Sequence, residues 1–165
     1  MTNPLDISPS AVISPDARIF PSTRGSAIRI GNFSHVMEFA IIRAVGGAGD
    51  VSIGEHSYIN PHCVLYSGNG IDIGDHVLIA PGTCIVPANH AFRTRDLPIR
   101  LQGFKESRGG VVIEDGVWLG ANCVVLDGSR IRRGAIVGAG SVVTGEIPEY
   151  SIWAGIPAKP IGVRP

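Results

Sequence analysis

Five histidines supply the side chains best suited to move a proton near neutral pH, because an imidazole titrates at ~6.5 when unperturbed. One of them is set apart by its place. His90 closes the segment V-P-A-N-H and stands directly before the longest interruption of an otherwise regular pattern, the excursion from Ala91 to Val112. Long loops in compact domains are usually functional or disordered. A histidine at a loop edge is commonly only a solvated turn residue, but a histidine that ends a repeat against such a loop is a candidate general base. His56 and His76 share one place in successive repeats and should stack, whereas His62 falls on the next side of the coil. Three cysteines cannot form a closed disulfide framework, and Cys63 and Cys123 read as reduced core residues, with Cys84 pointing outward.

The pattern that positions these residues has a period of six. Starting aliphatics at Ile73, Ile79 and Ile85 lead to His90, and after the excursion Ile113, Leu119, Val125, Ile131, Val137 and Val143 resume. An amphipathic helix would return its apolar face every three or four residues, so this period excludes one and matches a hexapeptide β-solenoid. The fifth place holds Val77, Thr83, Val117, Cys123, Ser129, Ala135 and Ser141, small or β-branched residues expected to point inward. The fourth is often glycine, as at Gly82, Gly116, Gly128, Gly134 and Gly140, where the chain must bend through left-handed backbone angles. Three hexads close one coil, because Ile53 to Ile73 and Ile113 to Ile131 bracket one return of the pattern. The expectation is a triangular prism of parallel sheets with about six coils, on the order of 30 Å tall at ~4.8 Å per coil. Handedness does not follow from the spacing.

Residues 1–29 carry a worn repeat (Ile13, Ile19, Ile28) broken by Pro4, Pro9, Pro15 and Pro21, which suits an N-terminal capping coil. Residues 30–165 form the body and its C-terminal tail, in one domain overall. The glycine-rich stretch G-G-A-G-D and the S-G-N-G stretch before Ile73 read as corner loops. The 22 glycines and the 44% of hydrophobic residues suit many short strands and tight turns. Fourteen basic and fourteen acidic side chains cancel, which argues against nucleic acid and against a membrane surface as partners. No secretory signal pattern and no apolar run of spanning length is present, so the expected location is cytoplasmic. Charge is local instead. The excursion carries Arg93, Arg95, Arg100, Lys105 and Arg108 against Asp96 and Glu106, either a receiver for an anionic ligand or a solvated flap.

The hexads, V-P-A-N-H before the loop, G-V-W-L-G-A-N-C-V-V-L after it, and the ending G-A-G-S-V-V-T with A-G-I-P-A-K-P resemble the hexapeptide-repeat O-acetyltransferases. Maltose and galactoside acetyltransferases and the short acetyltransferases of polysaccharide gene clusters are the relatives in view. The resemblance implies an all-β, left-handed parallel β-helix, a homotrimer with active sites between subunits, and acetyl-CoA in the groove between neighbouring prisms. It places the catalytic histidine at His90, the acceptor-binding asparagine at Asn60, and the oxyanion-stabilising backbone amide at Ala121. Trp118 would wall the site. Ala139 and Thr144 would lie along the pantetheine, with Lys159 and Arg164 near the nucleotide phosphates. Where relatives often have a lysine after the threonine, this chain has Gly145, which shifts weight to Lys159, Arg164 or the pair Arg132 and Arg133. That pair reads more simply as a solvated corner, whereas Asn60 reads equally well as a turn-forming asparagine.

The resemblance implies a saccharide acceptor, and the basic loop suggests a nucleotide- or lipid-linked sugar or a surface-polysaccharide precursor. N-acetylation of a nucleotide-linked amino sugar is the neighbouring alternative. Gamma-class carbonic anhydrases share the fold and bind zinc through three histidines, but the close H-x4-H pair expected of them is missing, so no metal is expected. A non-catalytic scaffold is the remaining rival, because fold does not fix function.

Overall fold

A chain that must bury alternate side chains yet turn after every sixth residue can make only short strands. In the computed structural model, which describes residues 4–45 and 49–165, strands of two or three residues stack into three parallel walls. The first wall stacks Leu5–Ile7, Ile28–Ile30, Val51–Ile53, Ile71–Ile73, Val111–Ile113, Arg130–Ile131 and Glu146–Ile147. The second stacks Val12–Ile13, His35–Val36, Tyr58–Ile59, Leu78–Ile79, Trp118–Leu119, Ile136–Val137 and Ser151–Gly155. The third stacks Arg18–Phe20, Ile41–Arg43, Val64–Tyr66, Cys84–Val86, Val124–Leu126 and Val142–Val143. Six coils are therefore complete and a seventh is begun. The registers Ile53 on Ile73 and Ile113 on Ile131 close each coil where the hexad spacing puts it.

Inside, the first and fifth places face each other. Ile79, Ile85, Leu119, Val125 and Ile131 are fully buried, as are Thr83, Cys123, Ser129, Ala135 and Ser141. Small polar residues are tolerated there because corner carbonyls lie within reach. The Thr83 hydroxyl donates to the Gly120 carbonyl at 3.2 Å and the Ser141 hydroxyl to the Gly138 carbonyl at 2.6 Å, and among the described residues no buried hydroxyl is left unpaired.

Most fourth places are left-handed, whether glycine or a larger residue fills them, with Val45, Ala88 and Glu146 among the exceptions. Gly82, Gly116, Gly128, Gly134 and Gly140 have φ between 63° and 83°, and Phe33, Phe39, His56, His62, His76, Asn122 and Tyr150 fill the same place with φ between 54° and 61°. For bulky residues this conformation costs about 1 kcal/mol or more, and ring stacking offsets part of it. Phe33 stacks on His56 at 5.1 Å and His56 on His76 at 4.9 Å, while on the next edge Phe39 stacks on His62 at 5.1 Å. The histidine pair is thus part of a surface ladder.

Two departures from the sequence expectation are local. The excursion ends earlier than Val112, since Val111–Ile113 already pairs with Ile71–Ile73. Strand Ile28–Ile30 spans the boundary expected at residue 29 and pairs with Leu5–Ile7. Residues 46–48, within the G-G-A-G-D corner, lie outside the described residues. At the far end Ala158–Val163 folds back antiparallel on Ser151–Gly155, which ends the coil with a hairpin.

At Gly120 successive coils approach so closely that a side chain does not fit. A Cβ on Gly120 would lie 2.5 Å from the Ala139 backbone nitrogen, whereas one on Gly145 would meet nothing within 4 Å. Gly120→Ala is expected to lower stability by about 1–3 kcal/mol and Gly145→Ala to leave it nearly unchanged, read as the shift of the urea unfolding midpoint.

Candidate active site

The edge between the second and third walls gathers most of the residues singled out above. Because Ile59, Ile79, Leu119 and Val137 are stacked partners, Asn60, Gly120 with Ala121, and Gly138 with Ala139 follow one another up this edge. Lys159 extends the line, for it pairs with Ala154, whose Cβ lies against Gly138. Trp118 faces outward just before the edge and is 47% exposed. Asn60 donates its Nδ2 to the Ile79 carbonyl at 2.8 Å, which fixes the amide, while its Oδ1 has no hydrogen bond among the described residues. The corner backbone is similarly divided. Gly120 donates to Val137 and Asn122 to Pro81, but the amide of Ala121 between them makes no hydrogen bond among the described residues. The Ala139 amide is free in the same way, one coil further along and about 4.8 Å away at the spacing between paired strands.

His90 lies elsewhere, at the far end of the third wall, where the chain leaves Cys84–Val86 for the loop. It is exposed. Its Nδ1 is 3.3 Å from the Gly103 carbonyl oxygen. A carbonyl can only accept, so Nδ1 carries the proton and Nε2 offers its lone pair to a ligand. The ring stacks on Phe104 with centroids 4.8 Å apart. Around it His90, Phe92, Arg93, Phe104, Lys105 and Glu106 line a cavity of about 360 Å³. None of the loop's five cations forms an ion pair with a described residue, so its positive charge is not neutralised within the chain.

The remaining candidates are separated. Thr144 and Lys159 line a cavity of about 140 Å³ at the C-terminal end of the prism, together with Trp153, whose buried Nε1 has no hydrogen-bond partner. Arg164 sits at the other end of the hairpin, 3.4 Å from the Gly134 carbonyl beside Tyr150. Arg132 bridges Glu114 at 2.8 Å and Glu146 at 2.9 Å, and Arg133 reaches Asp115 at 3.4 Å. The Arg132 guanidinium and the Arg133 backbone N–H hold the Glu114 carboxyl below its ordinary value, and the pair is a solvated corner network.

Asp127 escaped the sequence reading although it anchors the loop. It is 2% exposed and accepts from the backbone N–H of Arg108 at 2.8 Å and of Gly110 at 2.9 Å, which ties the returning leg to the prism. Its only signal in the sequence is an acidic third place in the first complete coil after the loop. Gln102, Gly103 and Phe104 escaped for a different reason, since no periodicity extends into the excursion.

Three proteins give this geometry its relatives. The description bacterial transferase hexapeptide (six repeats) fits residues 110–145. A hexapeptide-repeat-containing acetyltransferase from Vibrio cholerae, solved with acetyl coenzyme A, is 33% identical with a TM-score of 0.72 over 81% of this chain and 69% of its own. The chain belongs to the hexapeptide-repeat acetyltransferase family. Its prism is accordingly the left-handed parallel β-helix, the hand that hexad spacing leaves open. AntD, an N-acyltransferase from Bacillus cereus solved with dTDP and 3-hydroxybutyryl-CoA, has a TM-score of 0.79 at 26% identity over 98% of this chain and 83% of its own. Galactoside O-acetyltransferase of Lactococcus lactis is 35% identical over 67% of this chain and 52% of its own length. The chain spans about half the length of the curated relatives it matches.

The cysteines take no part in this site. Cys63 and Cys123 are fully buried and Cys84 partly so. Burial pushes the Cys63 thiol up to about 11 and raises those of Cys123 and Cys84. At pH 8 a thiol reagent should therefore modify at most Cys84 in the native protein and all three after denaturation; rapid reaction of two native thiols would contradict the buried placement.

Proposed function

We propose that this protein is an acetyl-CoA-dependent O-acetyltransferase of a saccharide, a nucleotide- or lipid-linked sugar or surface-polysaccharide precursor, working as a cytoplasmic homotrimer. The observation that carries the reading is the division of the candidate site between two edges of one prism. Asn60, Ala121, Ala139 and Lys159 line one edge, and His90 stands across the third wall from it, roughly 15–20 Å away at ~3.3 Å per residue. No single chain can bring them together. A cyclic assembly can, because a heterologous contact sets one edge of each copy against a different edge of the next. Three copies is the number implied by the family. The exposed loop side chains Leu97, Ile99 and Leu101 supply apolar surface for such a contact. Three free cysteines suit the reducing compartment where CoA thioesters are made.

In this reading acetyl-CoA lies along the first edge. The free amides of Ala121 and Ala139 face its acyl and pantetheine groups, and Lys159 takes its phosphates. The acceptor hydroxyl, oriented by Asn60 Oδ1, gives its proton to His90 Nε2 as its oxygen attacks the thioester carbonyl. The Ala121 N–H receives the oxyanion. Collapse breaks the carbon–sulfur bond, and the proton held by His90 passes to the departing thiolate. No covalent enzyme intermediate is needed. Likeness to AntD over nearly the whole chain favours, as second reading, transfer to the amine of a nucleotide-linked amino sugar by the same groups.

His90→Ala is expected to lower kcat by about 10²–10⁴-fold while the trimer, by light scattering, and CoA affinity, by calorimetry, persist. Wild-type turnover in that variant would remove the assignment. Mixed trimers of His90→Ala and Asn60→Ala chains should recover activity that neither variant has alone, since one interface in the mixture carries both native residues. Release of the acetyl group from product by mild alkali would identify an ester; an amide would survive.

A further inference from the structure

The reach from prism to loop leaves one unexplained feature, an aromatic ring that is 72% exposed yet fixed in place. We propose that Phe104 is a positioning residue for His90: its ring, with the Gly103 carbonyl, holds the imidazole in the Nδ1–H tautomer with Nε2 turned to the acceptor. The inference rests on the assignment of His90 as general base.

The backbone enforces the pairing. Ala91 donates its N–H to the Gly103 carbonyl at 3.0 Å and Lys105 donates to the Asn89 carbonyl at 2.8 Å. His90 and Phe104 are the antiparallel pair between those two bonds, the place in an antiparallel ladder where opposing side chains come closest. The rings stack at 4.8 Å with 27° between their planes, and the same Gly103 carbonyl lies 3.3 Å from Nδ1. Stack and hydrogen bond act on one ring from two directions, so neither rotation about its χ angles nor exchange of tautomers is free.

The segment that delivers Phe104 is itself held. Gln102 accepts from the Thr94 N–H at 3.1 Å and donates to the carbonyls of Thr94 at 2.8 Å and Leu97 at 2.7 Å, drawing the outgoing leg onto the turn at Ile99–Leu101. Gly103 has φ of 77° with open space around it, so backbone conformation rather than crowding requires glycine there. A ring so exposed adds little to stability by burial. Its place is explained by the imidazole it covers.

The test compares Phe104→Leu, which keeps apolar bulk but loses the flat face, with Phe104→Tyr, which keeps the face. Phe104→Leu should lower kcat about ten- to a hundredfold with the KM for acetyl-CoA unchanged. Correlation spectra of the imidazole nitrogens should show His90 as the Nδ1–H tautomer in the wild type and as a mixture in Phe104→Leu. Phe104→Tyr should restore both kcat and the single tautomer. Wild-type kcat in Phe104→Leu, beside an inactive His90→Ala, overturns the positioning role and leaves the base assigned. An active His90→Ala overturns the base itself, and an unchanged tautomer in a slow Phe104→Leu overturns the route through His90.

Discussion

Hydrogen bonds between coils set a fixed rise of about 4.8 Å per turn of the chain, and whatever stands on an edge inherits it. The edge from Asn60 to Lys159 is a ruler built from that spacing. Its marks are made by hexad places, not by loops, so they have the rigidity of the core beneath them, where Leu119, Cys123, Val125 and Val137 are essentially buried. An extended, flexible ligand such as a pantetheine arm loses much conformational freedom on binding. On the proposed reading, amides already spaced by the fold, as at Ala121 and Ala139, add no ordering cost of their own.

The same spacing explains why a glycine is needed at position 120. With coils this close, Gly120 leaves the Ala139 nitrogen 2.5 Å from where a Cβ would sit. At the same corner the Ala121 amide makes no hydrogen bond among the described residues. The fourth place then bends the chain, and the φ required is met equally by Gly140 and by Asn122. Packing in the core, corner geometry and the open amides are thus one consequence of six-residue sides.

How far this was legible in the sequence follows from the same physics. Residues whose place is set by the period could be read in advance, since Cys63 and Cys123 are buried and the His56 and His76 rings stack as their shared place demands. Residues set by tertiary contact could not. Phe33 and Phe39 take a left-handed conformation that propensity assigns to glycine or asparagine, because the rings above them compensate. Asp127 reads as an ordinary acidic corner until the returning loop is seen donating two backbone N–H groups to it. The loop itself reads as charge. Its cations form no ion pair with a described residue, but Phe92, Ile99, Leu101 and Phe104 are each more than half exposed, and alternation gave no hint of that surface.

A straight prism also has a limit that the loop answers. Its edges diverge by symmetry, so groups on two of them never converge within one copy, and its corners are too stiff to bend toward a ligand. Chemistry that needs a donor edge, an acceptor contact and a base within a few ångströms must take one of those groups off the coil. On the proposed reading this chain does so after Cys84–Val86, where His90 leaves the wall, and the loop then rebuilds locally the order that departure costs. The antiparallel pairing of His90 with Phe104, the clamp of Gln102 on Thr94 and Leu97, and the anchorage of Arg108 and Gly110 to Asp127 replace, bond by bond, the coil-to-coil ladder that the loop gives up.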